Sequence, residues 1–344
     1  MTTGMKKFTK GCLYTALVIF IIGAVICGVG GLLGGFRQLN GMDIRELTGI
    51  PLVYRLGPNG IEYGFGFWND NDIDWRGYEK WQQINDGEGT RALSLTADKL
   101  RNLYIEVGAC ELHIEESEDE YVRIAVSGNT DNLRYYVEEN GLQIVRKSNW
   151  TWRWVGVNTV SDKVYLYLPQ NTLLDYADIE LGAGSMKSIG LTARDVNIEV
   201  GAGEMDIDSL TADNGAILSV GAGKIRIKNL VCRTADLDIG AGQMDIDNAE
   251  IAEDANIDLG MGNVNFGGVI KGDLNVDCSM GTVILDMDDA EEDHNFDVEC
   301  SMGEVKVGSR SYSSLSSGVT TNNGSDSNFV IDCSMGTVTV KFAR

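Results

Sequence analysis

Apolar and polar residues alternate through the second half of the chain, and short Gly-x-Gly motifs interrupt the alternation at regular intervals. In one copy, residues 196–200 read VNIEV and residues 204–208 read EMDID, on either side of Gly201-Ala202-Gly203. Side chains along a β-strand point to opposite faces in turn, so this alternation is typical of a strand with one apolar face. Each copy therefore predicts two short strands that meet at a glycine corner.

The copies recur with a period close to twenty residues. The second glycine of each motif, which we call the corner glycine, falls at Gly184, Gly203, Gly223, Gly242, Gly262, Gly281, Gly303 and Gly336. Successive spacings are 19, 20, 19, 20, 19, 22 and 33 residues, and such a period with strand-like content is the signature of a solenoid. The sequence predicts an all-β fold, a parallel β-solenoid with two strands per coil over residues 175–344, capped on its N-terminal side by irregular β strands in residues 93–174.

Two interruptions of the period are interpreted as loops. They are the acidic run at residues 286–295 and the Ser/Gly/Asn-rich run at residues 308–328. Insertions in solenoids often collect on one face, which can be the binding face. We expect both runs to lengthen turns without disturbing the flanking strands.

The inward position just before each corner changes character along the chain. It holds Leu181, Val200, Val220, Ile239, Leu259, Cys278, Cys300 and Cys333. Buried thiols behave as small hydrophobic groups, so we expect the three cysteines to pack inertly in the last coils. The alternative is a disulfide between neighbouring coils, which would leave one thiol over. None of the seven cysteines forms a CxxC pair, so neither a zinc knuckle nor a thioredoxin-type site is indicated.

The N-terminal part of the chain carries a membrane signal. Residues 12–35 contain no charged side chain and are long enough to cross a hydrocarbon core of about 30 Å. Lys6, Lys7 and Lys10 precede them, so the positive-inside rule predicts a cytoplasmic tail at 1–10, a transmembrane helix at 11–36 in contact with membrane lipid, and an extracellular remainder. The expected location is the cell membrane, with a single pass. A cleaved signal peptide is the alternative, but no A-x-A-like cleavage site follows the apolar run.

Residues 37–92 form an aromatic and acidic juxtamembrane region with neither helical nor strand-like periodicity. Aromatic side chains near a bilayer often lie at the headgroup level. This region is therefore expected either along the outer leaflet or packed over the first turns of the solenoid.

Charge restricts the partners of the protein. The chain has 28 Lys and Arg against 51 Asp and Glu, a formal net charge of −23. Such a surface repels nucleic acid and attracts cations and cationic peptides. We therefore expect no nucleic-acid role, and an envelope protein or a cationic peptide as partner.

Stacking the coils also aligns outward residues. One outward file contains Glu180, Glu199, Asp238, Asp258, Asp277, Glu299 and Asp332, broken once by Ser219. Like charges about 5 Å apart in water repel by roughly 0.8 kcal/mol, so the file destabilises the fold unless something neutralises it. Oxygen ligands suit calcium, which makes the file a candidate metal site for that cofactor. The alternative is a solvated polar face that serves solubility and discourages edge pairing.

Groups for catalysis are scarce. The only histidines are His113 and His294, and no serine or cysteine lies in a recognisable nucleophile motif. The Gly-x-Gly motifs lie between strands and not at a strand-to-helix turn, so they do not indicate a nucleotide site. The sequence therefore favours a protein that is not an enzyme. A polysaccharide-acting enzyme is the weaker alternative, since β-helices can host acidic catalytic pairs.

The segments LRNLYIEVGACELHIEES and VYLYLPQNTLLDYADIELGAG, followed by the glycine repeats, resemble the adhesin-type β-strand-repeat family of bacterial envelope proteins, also called toastrack. The resemblance covers about residues 93–342. It implies a membrane-tethered domain associated with envelope-stress sensing or surface interaction, and no catalytic residue carries over. The long aromatic stretch and the Ser-rich insertion depart from the family. We therefore expect a membrane-anchored extracellular interaction module, with a structural or adhesive surface protein as the alternative.

Overall fold

The computed structural model describes residues 53–57, 60–64, 81–83, 89–128, 133–138, 140–146, 162–313 and 316–343. The predicted tail at 1–10 and transmembrane helix at 11–36 lie outside these residues. Within the described part of the chain, no helix has the length and apolar character needed to cross a membrane.

The described structure is almost entirely β. A single 3-10 turn at Glu291–Asp293 is the helical segment of the described solenoid. The first strands are β1 (Val53–Gly57), β2 (Gly60–Gly64), β3 (Arg91–Thr96), β4 (Asn102–Val107), β5 (Glu111–Glu116), β6 (Tyr121–Ser127), β7 (Leu133–Val137), β8 (Gly141–Arg146) and β9 (Lys163–Leu168). The central strands are β10 (Leu174–Leu181), β11 (Ser185–Ser188), β12 (Leu191–Val200), β13 (Glu204–Val220), β14 (Lys224–Ile239), β15 (Gln243–Ile251), β16 (Ala255–Leu259), β17 (Asn263–Ile270), β18 (Leu274–Cys278) and β19 (Thr282–Met287). The last are β20 (Asn295–Cys300), β21 (Glu304–Val307), β22 (Arg310–Ser313), β23 (Ser316–Thr321), β24 (Asn328–Cys333) and β25 (Thr337–Phe342).

Strands β1 and β2 pair antiparallel as a hairpin, with Val53 opposite Gly64 and Gly57 opposite Gly60. They form a two-stranded sheet separate from the main one. Residues 37–92 show no strand-like periodicity in the sequence, yet this segment of the region forms two strands. The glycines at the strand ends allow a tight turn, and they also weaken the alternation that would have indicated strands.

The repeats stack in parallel, as the sequence predicts. Each corner joins a strand before it, the pre-corner strand, to a strand after it, the post-corner strand. Pre-corner strands pair with one another in register, for example Leu181 with Val200 and Val200 with Val220. Post-corner strands do the same, for example Met186 with Met205. The long strands β13 and β14 each run from one coil into the next.

The central coils contain three paired stretches and not the two that the sequence predicted. Within β13, residues 204–207, 209–212 and 215–220 each pair in parallel with β14. The in–out alternation changes phase at Asp208–Ser209, where two successive residues are exposed, and it is interrupted at residues 213–215, none of which is buried. After a change of phase, the other set of alternate residues points inward, so the chain can turn a corner and keep its apolar side chains in the core. The third stretch was missed because it is only a few residues long.

The core is one apolar column inside the coils. In the coil that begins at Glu204, every inward side chain is almost fully buried. These inward residues are Met205, Ile207, Leu210, Ala212, Ala216, Leu218 and Val220. A column of this kind stabilises the fold only when coils stack, because a single coil cannot cover its own apolar face.

Close stacking is the reason for the corner glycines. A Cβ built on Gly203 would overlap the carbonyl oxygen of Gly184 and lie 3.1 Å from Leu181 Cδ2 in the preceding coil. Among the described residues, the glycines with positive φ are Gly89, Gly128, Gly268, Gly308 and Gly324, so no corner glycine requires a left-handed conformation. Contact between coils, and not an unusual backbone angle, therefore selects glycine at the corners.

The solenoid begins earlier than predicted. Strands β4 and β8 pair in parallel, and so do β5 and β9, so these strands form two further coils. Strand β4 also pairs with β10. Part of the region 93–174 is thus solenoid and not an irregular cap. The segment IEVGACEL supplies the corner, with Cys110 where other coils have the corner glycine.

Spatial order differs from chain order at both ends. The β4–β5 coil lies between the β8–β9 coil and the β10–β11 coil. At the other end, the β24–β25 coil lies between the β18–β19 coil and the β20–β21 coil. The first coil in the chain, β4–β5, is thus not at the end of the stack, because the next coil in the chain lies outside it. The last coil in the chain, β24–β25, is likewise covered by the coil that precedes it in the chain. The strands that flank the late insertion form regular coils, but the coil that follows the insertion lies out of chain order, which the sequence does not indicate.

Antiparallel strands cover the two outermost coils. Strands β7 and β6 pair with β8 and β9, and β3 pairs with β6. Strands β23 and β22 pair with β20 and β21. The Ser/Gly/Asn-rich run at 308–328 therefore contains two strands and is not a plain loop. Reversing the strand direction ends the parallel stack, which limits edge-to-edge pairing with other chains.

The corner requirement can be tested with Gly262→Ala. Its Cβ would overlap the Gly242 carbonyl oxygen, so we expect the free energy of unfolding to fall by about 2–3 kcal/mol. Gly190→Ala is the matched control, because its Cβ would meet only Ser209 O at 3.9 Å, and we expect a change within about 0.5 kcal/mol. Denaturant unfolding measures both. Equal losses at the two positions would contradict the stacking account.

Coil order can be tested by disulfide trapping. Asp277 pairs with Asp332, and Asp332 with Glu299, on the outer side of adjacent coils. Adjacent coils are about 4.8 Å apart, within disulfide range. We expect D277C/D332C and D332C/E299C to crosslink under mild oxidation and D277C/E299C, two coils apart, not to crosslink. Rapid crosslinking of the last pair, measured by peptide mapping, would show that the coils follow chain order.

Candidate functional site

The carboxylates predicted from the repeat form one continuous outward file. Pairing runs from Glu180 to Glu199, Ser219, Asp238, Asp258, Asp277, Asp332 and Glu299. The file includes all seven predicted carboxylates and is interrupted once, at Ser219. Asp332 lies between Asp277 and Glu299, although it follows Glu299 in the chain. It also gains Glu106, which pairs with Glu180. We call this line of residues the acidic file.

A second outward file lies beside the acidic file on the same pre-corner strands. Its members are Tyr104, Asp178, Asn197, Ile217, Asp236, Asn256, Asn275, Val330 and Asp297. Asn197 Nδ2 donates to Asp178 Oδ1 at 2.9 Å, and Asn256 Nδ2 donates to Asp236 Oδ1 at 2.7 Å. No lysine or arginine occupies either of these two described files. We call the two files together the acidic face.

Most basic side chains of the central coils lie on the post-corner strands instead. There, Lys224 Nζ is 2.6 Å from Asp245 Oδ2, and Lys228 Nζ is 2.5 Å from Asp208 Oδ1. Arg226 pairs with Asp206 of the adjacent coil. Opposite charges thus alternate from coil to coil on this side, whereas the acidic face carries one sign. The sequence shows the excess of acid but not this separation.

Burial and mutual repulsion perturb the acidic file. Partial burial between coils raises the pKa of Asp238 above its ordinary value. Burial first, and the Asp238 carboxylate second, raise the pKa of Asp258. Burial, then Asp258 and Asp332, raise the pKa of Asp277. A raised carboxyl pKa means that the folded protein disfavours the ionised form, so this part of the face destabilises the fold near neutral pH.

Metal binding by the acidic file stays a prediction. Neighbouring carboxylates in a straight file belong to different coils and point the same way, so they do not surround a common point. In the described part of the chain, no group of three or more His, Cys, Asp or Glu side chains is arranged to hold a metal ion. What the geometry does provide is an extended surface of one charge.

A shallow groove lies on the post-corner side, with a volume of about 420 Å³. Lys187, Asp206, Arg226 and Lys228 contribute to its lining, together with His113. The His113 ring stacks on Tyr165 with centroids 4.8 Å apart, and its Nε2 lies 2.8 Å from Glu111 Oε1. The groove carboxylates Asp206 and Asp208 are paired with Arg226 and Lys228, which reduces their capacity to act as a catalytic acid and base.

His294 lies in a buried cluster that the sequence did not indicate. Its Nδ1 is 2.8 Å from Ser327 Oγ, and its Nε2 is 3.1 Å from Asp289 Oδ2. Although this connectivity is that of a hydrolytic triad, Ser327 is only 6 % exposed and donates its hydroxyl proton to Gly272 O at 2.6 Å. His294 is 2 % exposed and stacks on Phe329 at 4.0 Å. The cluster therefore joins three turns where coil order changes.

The three predicted core cysteines stack, but with Cys333 in the middle, between Cys278 and Cys300. All three are free and buried. Burial first, and the neighbouring Cys278 and Cys300 second, raise the pKa of the Cys333 thiol to about 12. A neutral thiol is a poor nucleophile, so inert packing is the role that this environment favours. A disulfide within the stack would require Cys333 as one partner.

A line of exposed methionines was missed by sequence reasoning. Met261, Met280, Met335 and Met302 occupy the middle position of the corner on four successive coils, and we call them the methionine file. The signal was present, because the motif changes from GAG to GMG and SMG in the last copies. The middle position of a corner varies between alanine and methionine, so it stands out less than the glycine that follows it.

The coils, the glycine corners and the single apolar column define a parallel β-solenoid. The family profile described as Toastrack DUF4097 matches residues 100–341. The chain therefore belongs to the toastrack family, which confirms the family resemblance found in the sequence. No curated protein is similar enough to be matched.

Several solved structures are similar to the chain. A candidate adhesin from Bacteroides fragilis is 12 % identical over 75 % of this chain and 99 % of its own, with a TM-score of 0.43. A candidate adhesin from Parabacteroides distasonis is 15 % identical over 75 % and 99 %, with a TM-score of 0.42. A candidate lipid-binding protein from the same organism is 15 % identical over 76 % and 100 %, with a TM-score of 0.39.

The repulsion between carboxylates of the acidic file can be tested with Asp258→Asn. Removing one charge between two neighbours relieves roughly 0.8 kcal/mol of repulsion per neighbour in water, so we expect higher stability at pH 7, most clearly at low salt. Because the folded pKa of Asp258 is raised, the wild type recovers stability as pH falls through that pKa toward the unfolded value. The difference between the two proteins should therefore disappear in acid. A destabilised variant at pH 7 in thermal unfolding would contradict this account.

Proposed function

We propose that this protein is a membrane-anchored extracellular interaction module whose acidic face receives a cationic partner. The single observation that carries the proposal is the segregation of charge. Two adjacent outward files hold acids and neutral residues but no lysine or arginine, while the post-corner strands hold the paired cations. A surface of one sign attracts and orients a partner of the opposite sign.

The form of the surface favours an extended or helical basic partner over a small ligand. Neighbouring carboxylates recur at the coil spacing of about 4.8 Å, and the face has no convergent set of metal-binding groups among the described residues. A peptide with several lysine or arginine side chains can contact several coils at once. Burial first, and repulsion between neighbouring carboxylates second, raise the pKa values of Asp258 and Asp277. Contact with several basic side chains would relieve that repulsion.

The proposed location comes from the sequence. An uncharged run at residues 12–35, preceded by lysines, favours a cell-membrane anchor with the solenoid outside. In that setting, binding of a basic peptide or of a basic segment of an envelope protein would report on the state of the envelope. An adhesive role uses the same face and differs in the partner, which then belongs to another surface.

A non-catalytic role fits the side chains described above. Ser327 and His294 are buried, and Asp206 and Asp208 of the surface groove are paired with basic residues. A polysaccharide-acting enzyme would require two carboxylates facing each other across a cleft. The acidic file places its carboxylates side by side along one surface instead.

The test uses the full-length protein in detergent and a fluorescent lysine-rich peptide as the probe. The variant D238N/D258N/D277N/D332N removes four charges from the acidic face. The control E118Q/E120Q/D288N/E292Q removes four exposed charges from turns outside it. We expect the first variant to weaken binding at least about tenfold, or roughly 1.4 kcal/mol. The control should change binding much less, because its charges lie away from the contact.

Fluorescence anisotropy at two salt concentrations measures both effects. Calcium is added in a parallel titration at matched ionic strength, because the acidic file is also the predicted calcium site. Competition by calcium beyond that of sodium would support metal binding at the same face. Equal losses of peptide affinity in the face variant and the control would overturn the proposal, since net charge alone would then account for binding.

A further inference from the structure

The methionine file is unusual in its exposure. Met261, Met280, Met335 and Met302 are 61 %, 51 %, 51 % and 71 % exposed. The remaining described methionines, Met186, Met205, Met244 and Met287, are buried in the core. Methionine normally packs inside proteins, so core packing does not account for four exposed copies at one structural position.

Backbone hydrogen bonds between neighbouring corners establish the order of the four methionines in space. The Met280 amide donates to Gly260 O at 2.8 Å, and the Met335 amide donates to Ser279 O at 2.7 Å. The Met302 amide donates to Ser334 O at 2.7 Å. Each methionine therefore lies one coil, or about 4.8 Å, from the next. Because the last coil in the chain is inserted between the two coils that precede it, the order of the file in space is Met261, Met280, Met335 and Met302.

The side chains suit a particular kind of ligand. A thioether sulfur is soft, uncharged at every pH, and carried on a side chain with three rotatable bonds, so sulfurs on adjacent coils can turn toward a common point. Soft sulfur ligands select Cu(I) over hard cations such as calcium and magnesium. We propose that the methionine file is a binding site for a soft monovalent metal ion, Cu(I) or Ag(I), held by thioether sulfurs of neighbouring coils.

The surroundings support a cation at this position. Each methionine follows a member of the acidic file by three residues, as Met280 follows Asp277 and Met335 follows Asp332. The acidic file thus runs parallel to the methionine file and raises the local concentration of cations. In the four preceding coils the same corner position is alanine, at residues 183, 202, 222 and 241, so the sulfurs are confined to one group of coils.

An apolar docking surface and a cysteine metal site fit the pattern less well. A docking surface would not need sulfur, and leucine or valine would serve equally well at these corners, yet all four are methionine. The nearby thiols of Cys278, Cys333 and Cys300 point into the core and are buried. Metal binding by cysteine requires the thiolate, and burial raises the pKa of the Cys278 and Cys333 thiols, which makes their thiolate forms unfavourable. The exposed thioethers are the accessible sulfur ligands of these coils.

The test uses the full-length protein in chloride-free buffer, with Ag(I) as a stand-in that does not change oxidation state. Isothermal titration should show binding of on the order of one Ag(I) per chain, consistent with a site that uses about three sulfurs. The variant M261L/M280L/M335L/M302L keeps the apolar surface and removes the sulfurs. We expect its affinity to fall at least about tenfold, with the thermal stability of the metal-free protein nearly unchanged, because Met-to-Leu exchange conserves volume.

A gain-of-function variant separates loss of the site from general damage. Ala241 occupies the corner next to Met261, so Ala241→Met extends the file by one coil and should increase Ag(I) affinity or capacity. Bound Ag(I) should also protect the four exposed methionines from oxidation by peroxide, as measured by mass spectrometry.

Two results would overturn this proposal. One is the absence of Ag(I) binding in the wild type, which would leave docking of an apolar partner as the role of the file. The other is equal affinity in the wild type and the four-leucine variant, which would place the metal elsewhere, for example at the core thiols. Neither result bears on peptide binding by the acidic face, because the leucine substitutions leave every carboxylate in place.

Discussion

The close contact between successive corners is the constraint on which the rest of the structure depends. Each corner lies directly against the corner of the next coil, with backbone carbonyls where a Cβ would otherwise be. The pre-corner side chain of one coil also fits beneath the corner glycine of the next, as Leu181 does at Gly203 and Cys278 does at Gly336. Because every coil makes the same contact, the strands stay in register and the inward residues align into one core. The same register aligns the outward residues, so each position in the repeat becomes a line on the surface.

This alignment makes the surface chemistry of the protein a consequence of its repeat. A carboxylate that recurs once per coil becomes an acidic file, and a methionine that recurs in the last copies becomes the methionine file. Lysine and arginine recur at other positions, where they lie beside aspartates of adjacent coils, as Lys224 does with Asp245. The distribution of charge is therefore set by position within the coil and not by net composition. A face of one sign persists because no basic residue occupies its two files.

The ends of the solenoid show how a parallel stack is closed. At both ends the outermost coil comes from the interior of the chain sequence, and antiparallel strands then cover it. The turns at one of these junctions are tied by His294, whose ring stacks on Phe329 and contacts Ser327 and Asp289. Enclosing the first and last coils between neighbours protects the positions where a linear stack would fray. It also places Met335 between Met280 and Met302, so the closure of the fold sets the order of the methionine file.

The sequence by itself determined the parallel solenoid, the corner glycines, the inward column and the seven carboxylates of the acidic file. All of these follow from a local alternation and a near-constant period, which are properties of adjacent residues. Only the tertiary structure decided the order of the terminal coils, the position of Cys333 between Cys278 and Cys300, and the addition of the β4–β5 and β8–β9 coils with Glu106. The third stretch of the central coils and the separation of basic from acidic faces were also decided there. These features depend on pairing between strands far apart in the chain, where small differences in packing choose one neighbour over another and the local pattern is the same for either choice.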